Sequence, residues 1–178
     1  YPRAQCNLAW CYEHGQGVEQ SDVEAAKWYR AAAEQEYPRG ELCMGFCCER
    51  GRGVPVNKEE AAVWYRRAAE HGDEDGACCL GYLYETGVGV EQSWEEAIYW
   101  YRRAAALGLP RAQCNLGWCC EYGKGVEQNW KRAAHWYQKA ADKEDPRGMF
   151  CMGLCCKRGH GVDQDAAAAA RWYQKAAD

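Results

Sequence analysis

The chain repeats itself every 36 residues without a gap, and no other feature narrows its possible folds so far. Five copies span residues 1–36, 37–72, 73–108, 109–144 and 145–178, the last lacking only its final two positions. The pair Trp28-Tyr29 returns as Trp64-Tyr65, Trp100-Tyr101, Trp136-Tyr137 and Trp172-Tyr173, and Gly15, Gly17, Val18, Ala25, Ala32 and Ala33 recur in the same way. A period between about 20 and 50 residues marks a stacked array, because each copy is one supersecondary element that cannot bury its apolar face alone. The bias to nine tryptophans against two phenylalanines has the same origin in copying.

Each copy reads as two helices. Four of the five open on a proline (Pro2, Pro38, Pro110, Pro146), which suits a first helical turn because the missing amide proton would have no partner there. Helix A is expected to run about eleven residues to a glycine (Gly15, Gly51, Gly87, Gly123, Gly159) able to adopt the left-handed conformation that ends a helix. Helix B should start after Ser21, Asn57, Ser93, Asn129 and Asp165, whose side-chain oxygens can accept from unpaired amides. Glu24, Glu60 and Glu96, three residues on, complete a capping-box pattern. Ala25, Trp28, Tyr29, Ala32 and Ala33 share one face of helix B at helical spacing. The fold expected is all-α, five helix-turn-helix repeats stacked as one array. The chain starts inside a first turn and stops at KAAD without a polar capping helix, so it reads as a segment of a longer array or one open to end-to-end self-association. Copies one and four share PRAQCNL, while two and five share PRG, CMG and CC, which points to duplication of a three-copy block.

Residues 112–141, AQCNLGWCCEYGKGVEQNWKRAAHWYQKAA, resemble the Sel-1-like repeat, a helix-turn-helix class akin to tetratricopeptide repeats. The resemblance covers the whole chain and rests on LG in helix A, GxGV in the turn and A-x-x-WY-x-x-AA in helix B. Ala9 stands where glycine is usual and is expected to loosen a close helix contact, and cysteine replaces the usual tyrosine at Cys48, Cys120 and Cys156. The resemblance implies an all-helical right-handed solenoid whose members act as adaptors and scaffolds for protein complexes, in bacteria often in signalling or host contact. It implies no catalytic residues and no cofactor.

The net charge of −4 and pI near 5.7 come without any block of like charge, which argues against nucleic acid as a partner. No apolar run is long enough to cross a bilayer. All thirteen cysteines fall in helix A, so the disulfide between the two helices of one copy, found in cysteine-rich exported relatives, is not open to this chain. Equivalent residues of neighbouring copies, such as Cys43 and Cys79, should lie about 8–10 Å apart, beyond the roughly 7 Å a disulfide tolerates. Reduced thiols and a reducing compartment such as the cytoplasm are therefore favoured, with export the alternative if a leader was removed. There is no CxxC, and His14, His71, His135 and His160 fall at unrelated offsets, so no metal site is expected. Cys11, Cys47, Cys119 and Cys155 share a stripe with Leu8, Met44, Leu116 and Met152 and read as core. Cys6, Cys78 and Cys114, on another face, are expected to be exposed and reactive. At Cys48 and Cys156 the thiol replaces a larger ring, and the space left is where a water, ion or ligand is expected.

By analogy with tetratricopeptide repeats, offsets 3, 6, 10, 13 and 14 of each copy should line a concave surface. Offset 10 supplies an apolar ladder of Trp10, Phe46, Tyr82, Trp118 and Leu154, with Tyr122 nearby. Arg3, Arg39, Arg111 and Arg147 border it on one side and Glu13, Glu49, Glu85 and Glu121 on the other, until Lys157 and Arg158 make the last copy basic. Aromatic residues with arginine are favoured at interface hot spots, so the expected partner is a protein or peptide lying on this ladder. The plainer reading is that the ladder packs between neighbouring helices; Trp94 and Trp130 read as packing or a convex patch. Flat rings along a groove would also suit a carbohydrate such as a cell-wall polysaccharide. A hydrolase of cell-wall derivatives is a more distant reading, since no nucleophile, base and orienting acid come together and GKG lacks the strand and spacing of a phosphate loop.

Overall fold

A computed structural model describes residues 1–178, which form ten α-helices and no strand. Two compact units divide the chain, Tyr1–Ser93 and Trp94–Asp178. The first holds α1 (Pro2–His14), α2 (Asp22–Ala33), α3 (Pro38–Arg50), α4 (Lys58–Glu70) and α5 (Glu74–Thr86). The second holds α6 (Trp94–Leu107), α7 (Pro110–Tyr122), α8 (Trp130–Ala141), α9 (Pro146–Arg158) and α10 (Ala166–Ala177). The odd-numbered helices are the helix A of each repeat and run thirteen residues, two more than expected. None is long and apolar enough to cross a membrane.

The helix ends follow the sequence with one correction. Each helix A stops on a left-handed glycine, from Gly15 at φ 66° to Gly159 at φ 72°. Ser21, Asn57 and Asn129 accept from the amides of Glu24, Glu60 and Arg132, and Asp165 accepts from two. The reciprocal half of the capping box does not form, because the cap's own amide is already used. Ser21, Asn57, Asn129 and Asp165 donate it to the carbonyls of Tyr12, Cys48, Cys120 and Cys156 in the preceding helix, at 2.8–2.9 Å. Glu60 turns instead to the Trp64 indole N–H at 3.3 Å and to Arg30 at 3.2 Å.

Packing within a repeat sets a tyrosine of helix B into a glycine notch of helix A. A Cβ on Gly45, Gly117 or Gly153 would lie 2.4–2.5 Å from the ring of Tyr65, Tyr137 or Tyr173. Ala9 does not open its pair as expected: it is fully buried, and Tyr29 is only 4% exposed. Three of these tyrosine hydroxyls then reach a helix-A carboxylate, Tyr29 to Glu13 at 2.8 Å, Tyr65 to Glu49 at 2.7 Å and Tyr137 to Glu121 at 2.8 Å, whereas Lys157 takes the carboxylate's place in the repeat of Tyr173. Between repeats, the second glycine of the turn seats on the start of the preceding helix B. A Cβ on Gly53 would fall 2.0 Å from the Asp22 carbonyl oxygen, and one on Gly161 2.2 Å from that of Trp130. Glu41 is buried completely between α3 and α4, where Arg67 Nε lies at 3.2 Å and His71 Nδ1 at 2.8 Å.

Candidate protein-interaction site

The outward stripe of helix A falls at offsets 3, 7, 10 and 14 rather than the expected 3, 6, 10, 13 and 14, except that Phe150 at offset 6 of the last repeat is 49% exposed. Cys6, Cys78 and Cys114, expected to be exposed and reactive, are 6%, 2% and 0% exposed. Cys114 is covered by the following repeat, where its thiol donates at 3.6 Å to Asp145, the residue that caps α9. Burial pushes two of these thiols up, Cys6 to about 11 and Cys114 to about 12, so little thiolate is available there as a nucleophile. The half-buried cysteines on the outward stripe are Cys43, Cys79 and Cys151 at offset 7. Cys11 is half-buried too, whereas Cys47, Cys119 and Cys155 are core. At Cys48, where space is expected, the thiol is 1% exposed and lies against Glu60. Cys156 is also buried.

In the N-terminal unit, α1, α3 and α5 carry the apolar ladder outward. Trp10 is 48% and Tyr82 52% exposed. Trp10 stacks on His14 one turn later, centroids 4.4 Å apart. Phe46 is half-buried, edge-on to Tyr65 at 5.5 Å and roofed by the Arg50 guanidinium at 5.3 Å, a cation–π arrangement. Between them Glu13, Tyr29, Cys43, Phe46, Cys47, Arg50 and Arg52 enclose a cavity of about 80 Å³. Burial, only partly countered by Arg39, raises the Cys43 thiol to about 12. In the C-terminal unit Trp118 lies 5.3 Å from Tyr122 and 6.1 Å from Trp94, and Leu154 is half-buried on α9. Trp94 is thus inter-repeat packing, while Trp130 stacks flat on His160 at 4.3 Å.

The two charged borders differ in kind. Arg3, Arg39, Arg111 and Arg147 are all exposed. Glu13, Glu49 and Glu121 are half-buried and held by the tyrosine hydroxyls, and Glu13 also accepts from Arg52 at 2.8 Å. Nothing in the repeat pattern shows that those carboxylates have internal partners, since the tyrosines lie sixteen residues away. Nor does it single out Glu41, whose offset elsewhere holds Gln5, Ala77, Gln113 and Met149. No group of three or more His, Cys, Asp or Glu side chains is placed to hold a metal ion.

The Sel1 repeat model matches residues 2–37, 41–73, 76–109, 110–145 and 146–178. The chain belongs to the Sel1 repeat family. Its fold is similar to that of a Sel1 repeat protein from Oxalobacter formigenes, 35% identical with a TM-score of 0.92 over 99% of this chain and 72% of that one. It is also similar to c5321, a protective antigen present in uropathogenic Escherichia coli strains and displaying an SLR fold, with 33% identity and a TM-score of 0.94. That match covers 99% of this chain but 38% of the antigen, so this chain spans little more than a third of its length. Helicobacter pylori cysteine rich protein B is 25% identical, with a TM-score of 0.56 over 65% of this chain and 89% of that one. No curated protein matches the sequence. The all-α helical-repeat solenoid class expected from the 36-residue period is the class of these Sel1 neighbours. Sel1 repeat proteins generally act as protein-interaction scaffolds, and the fold is generally non-enzymatic.

Proposed function

We propose that this Sel1 repeat chain is an adaptor that captures a peptide or protein segment on the outward stripe of its helix-A surface, the face expected to be concave. The observation carrying this reading is that large rings and guanidinium groups share one exposed stripe, Trp10 and Tyr82 being about half exposed. The exposed half of such a ring adds nothing to the fold, whereas burying it against a partner contributes about 1–2 kcal/mol. The carboxylates Glu13, Glu49 and Glu121 act inside the scaffold, pinning helix B to helix A. Arg3, Arg39, Arg111 and Arg147, with the rings of Trp10, Phe46, Tyr82, Trp118 and Tyr122 and the side chain of Leu154, make the contacts with the partner.

The test is a random peptide library selected on the intact chain. Enriched peptides should bind the wild type and lose at least about tenfold in affinity on a Trp10→Ala, Tyr82→Ala, Trp118→Ala chain whose helical circular dichroism is unchanged. Loss of helicity would instead make the three rings structural. Saturable quenching of tryptophan fluorescence by cell-wall glycans, with no peptide enriched, would replace this reading by carbohydrate recognition.

A further inference from the structure

The chain and its exposed helix-A stripe carry opposite charge. The net charge is −4, yet the outward offsets of α1 and α3 hold Arg3, Arg39 and Arg50 and no acid. Those of α9 hold Arg147 and Arg158, with Lys157 beside them where other repeats have glutamate. Asp75 at offset 3 of α5 is the acid on the stripe, and Asp22, Glu24, Glu59 and Glu60 lie away from it at the starts of α2 and α4. The carboxylates nearest the stripe are already engaged: Glu13 by Tyr29 and Arg52, and Glu121 by Tyr137, with Arg158 at 3.8 Å. Arg39 and Arg147 make no ion pair, so their guanidinium groups stay solvated and available.

From this charge complementarity we infer that the partner segment is an acidic peptide whose carboxylates alternate with aromatic or leucine side chains. The inference rests on the reading that this stripe is the binding face, and it deepens that reading by naming the partner's chemistry. An exposed arginine beside a ring offers a planar fork to a carboxylate and an apolar wall to the neighbouring side chain. Arg3 and Arg39 stand in neighbouring repeats of the first unit, before Asp75 takes the same offset in α5, and stacked helices stand about 8–10 Å apart. An extended chain covers that distance in about three residues, so acids three residues apart meet successive arginines. Nucleic acid fits this less well, since its phosphates are much more closely spaced and the acids that open α2, α4 and α6 would repel a polyanion.

The experiment sequences the peptides, about twelve residues long, that a random library yields on the full chain at low and physiological salt. Asp and Glu should be enriched over Lys and Arg, at three-residue spacing and beside Trp, Phe or Leu, with affinity falling as salt rises. An Arg147→Glu, Arg158→Glu chain of unchanged circular dichroism should bind those peptides about tenfold more weakly. Enriched peptides that are neutral or basic would overturn this inference and leave the binding face standing. A library that yields nothing would remove the binding face itself. Phosphatidylserine vesicles or single-stranded DNA bound more tightly than any selected peptide would also overturn it.

Discussion

At the scale of single residues, two identical letters in the turn do different work. In GxG the first glycine supplies the left-handed backbone that ends helix A, with Gly51 at φ 71°. The second, Gly53, also has positive φ, but its missing side chain matters more, because a Cβ there would meet the Asp22 carbonyl oxygen at 2.0 Å. Gly17 occupies the same offset in the first repeat with φ 73° and nothing within 4 Å of its Cβ position. The pair makes a controlled comparison. Gly17→Ala should cost about 1–2 kcal/mol, the penalty of left-handed backbone alone, and Gly53→Ala at least about 2 kcal/mol more, because backbone must move. Urea unfolding of both variants reads the difference directly, and equal losses would mean that the turn does not seat on the preceding helix.

At the scale of the element, each helix B is fixed at both its start and its middle by groups of helix A. The start is held by the side-chain cap and by the cap amide's bond to the offset-12 carbonyl, as in Asn129 to Cys120 at 2.8 Å. The N3 position therefore need not be glutamate, and α8 and α10 begin at the same offset with Arg132 and Ala168 there. Asn129→Ala should lower stability by about 1 kcal/mol. Glu24→Ala, which removes a capping-box residue on paper and an exposed 3.4 Å pair with Lys27 in fact, should change it by less than about 0.5 kcal/mol. Thermal melts of the two variants decide this, and a Glu24→Ala loss as large as that of the cap would show the box to be closed in solution. Much of this level was legible in the sequence: the proline openings, the glycine stops and the caps all act within a turn or two of chain. The tyrosine bond to Glu49 or Glu121 was not, because its partners sit on different helices.

At the scale of the whole molecule, the cysteines tie stability to alkaline pH. Burial raises Cys43, Cys47, Cys114 and Cys155 from an ordinary 9.0 to about 12, and Cys6, Cys48 and Cys151 to about 11. A thiol that holds its proton more tightly when folded than when unfolded stabilises the fold fully below the unfolded value near 9 and loses that contribution as pH climbs toward 11–12. The urea midpoint should therefore fall steadily above pH 9, and fall less in a Cys43→Ala, Cys47→Ala, Cys114→Ala chain; an identical fall in both would clear the thiols of any part. The repeat class, the number of helices and their ends were decided by the sequence itself, because a period of 36 and local capping act without reference to any distant residue. The exposed stripe was decided only by tertiary structure. Helix A is apolar on more than one side, and cysteine is small enough to read as core or surface, so offset 6 and offset 7 look alike until the next repeat covers Cys114, while Cys43, Cys79 and Cys151 at offset 7 stay half-buried. The same packing took Glu13, Glu49 and Glu121 into the scaffold and left Arg39 and Arg147 outside. A face made from neighbouring copies exists only once those copies are stacked.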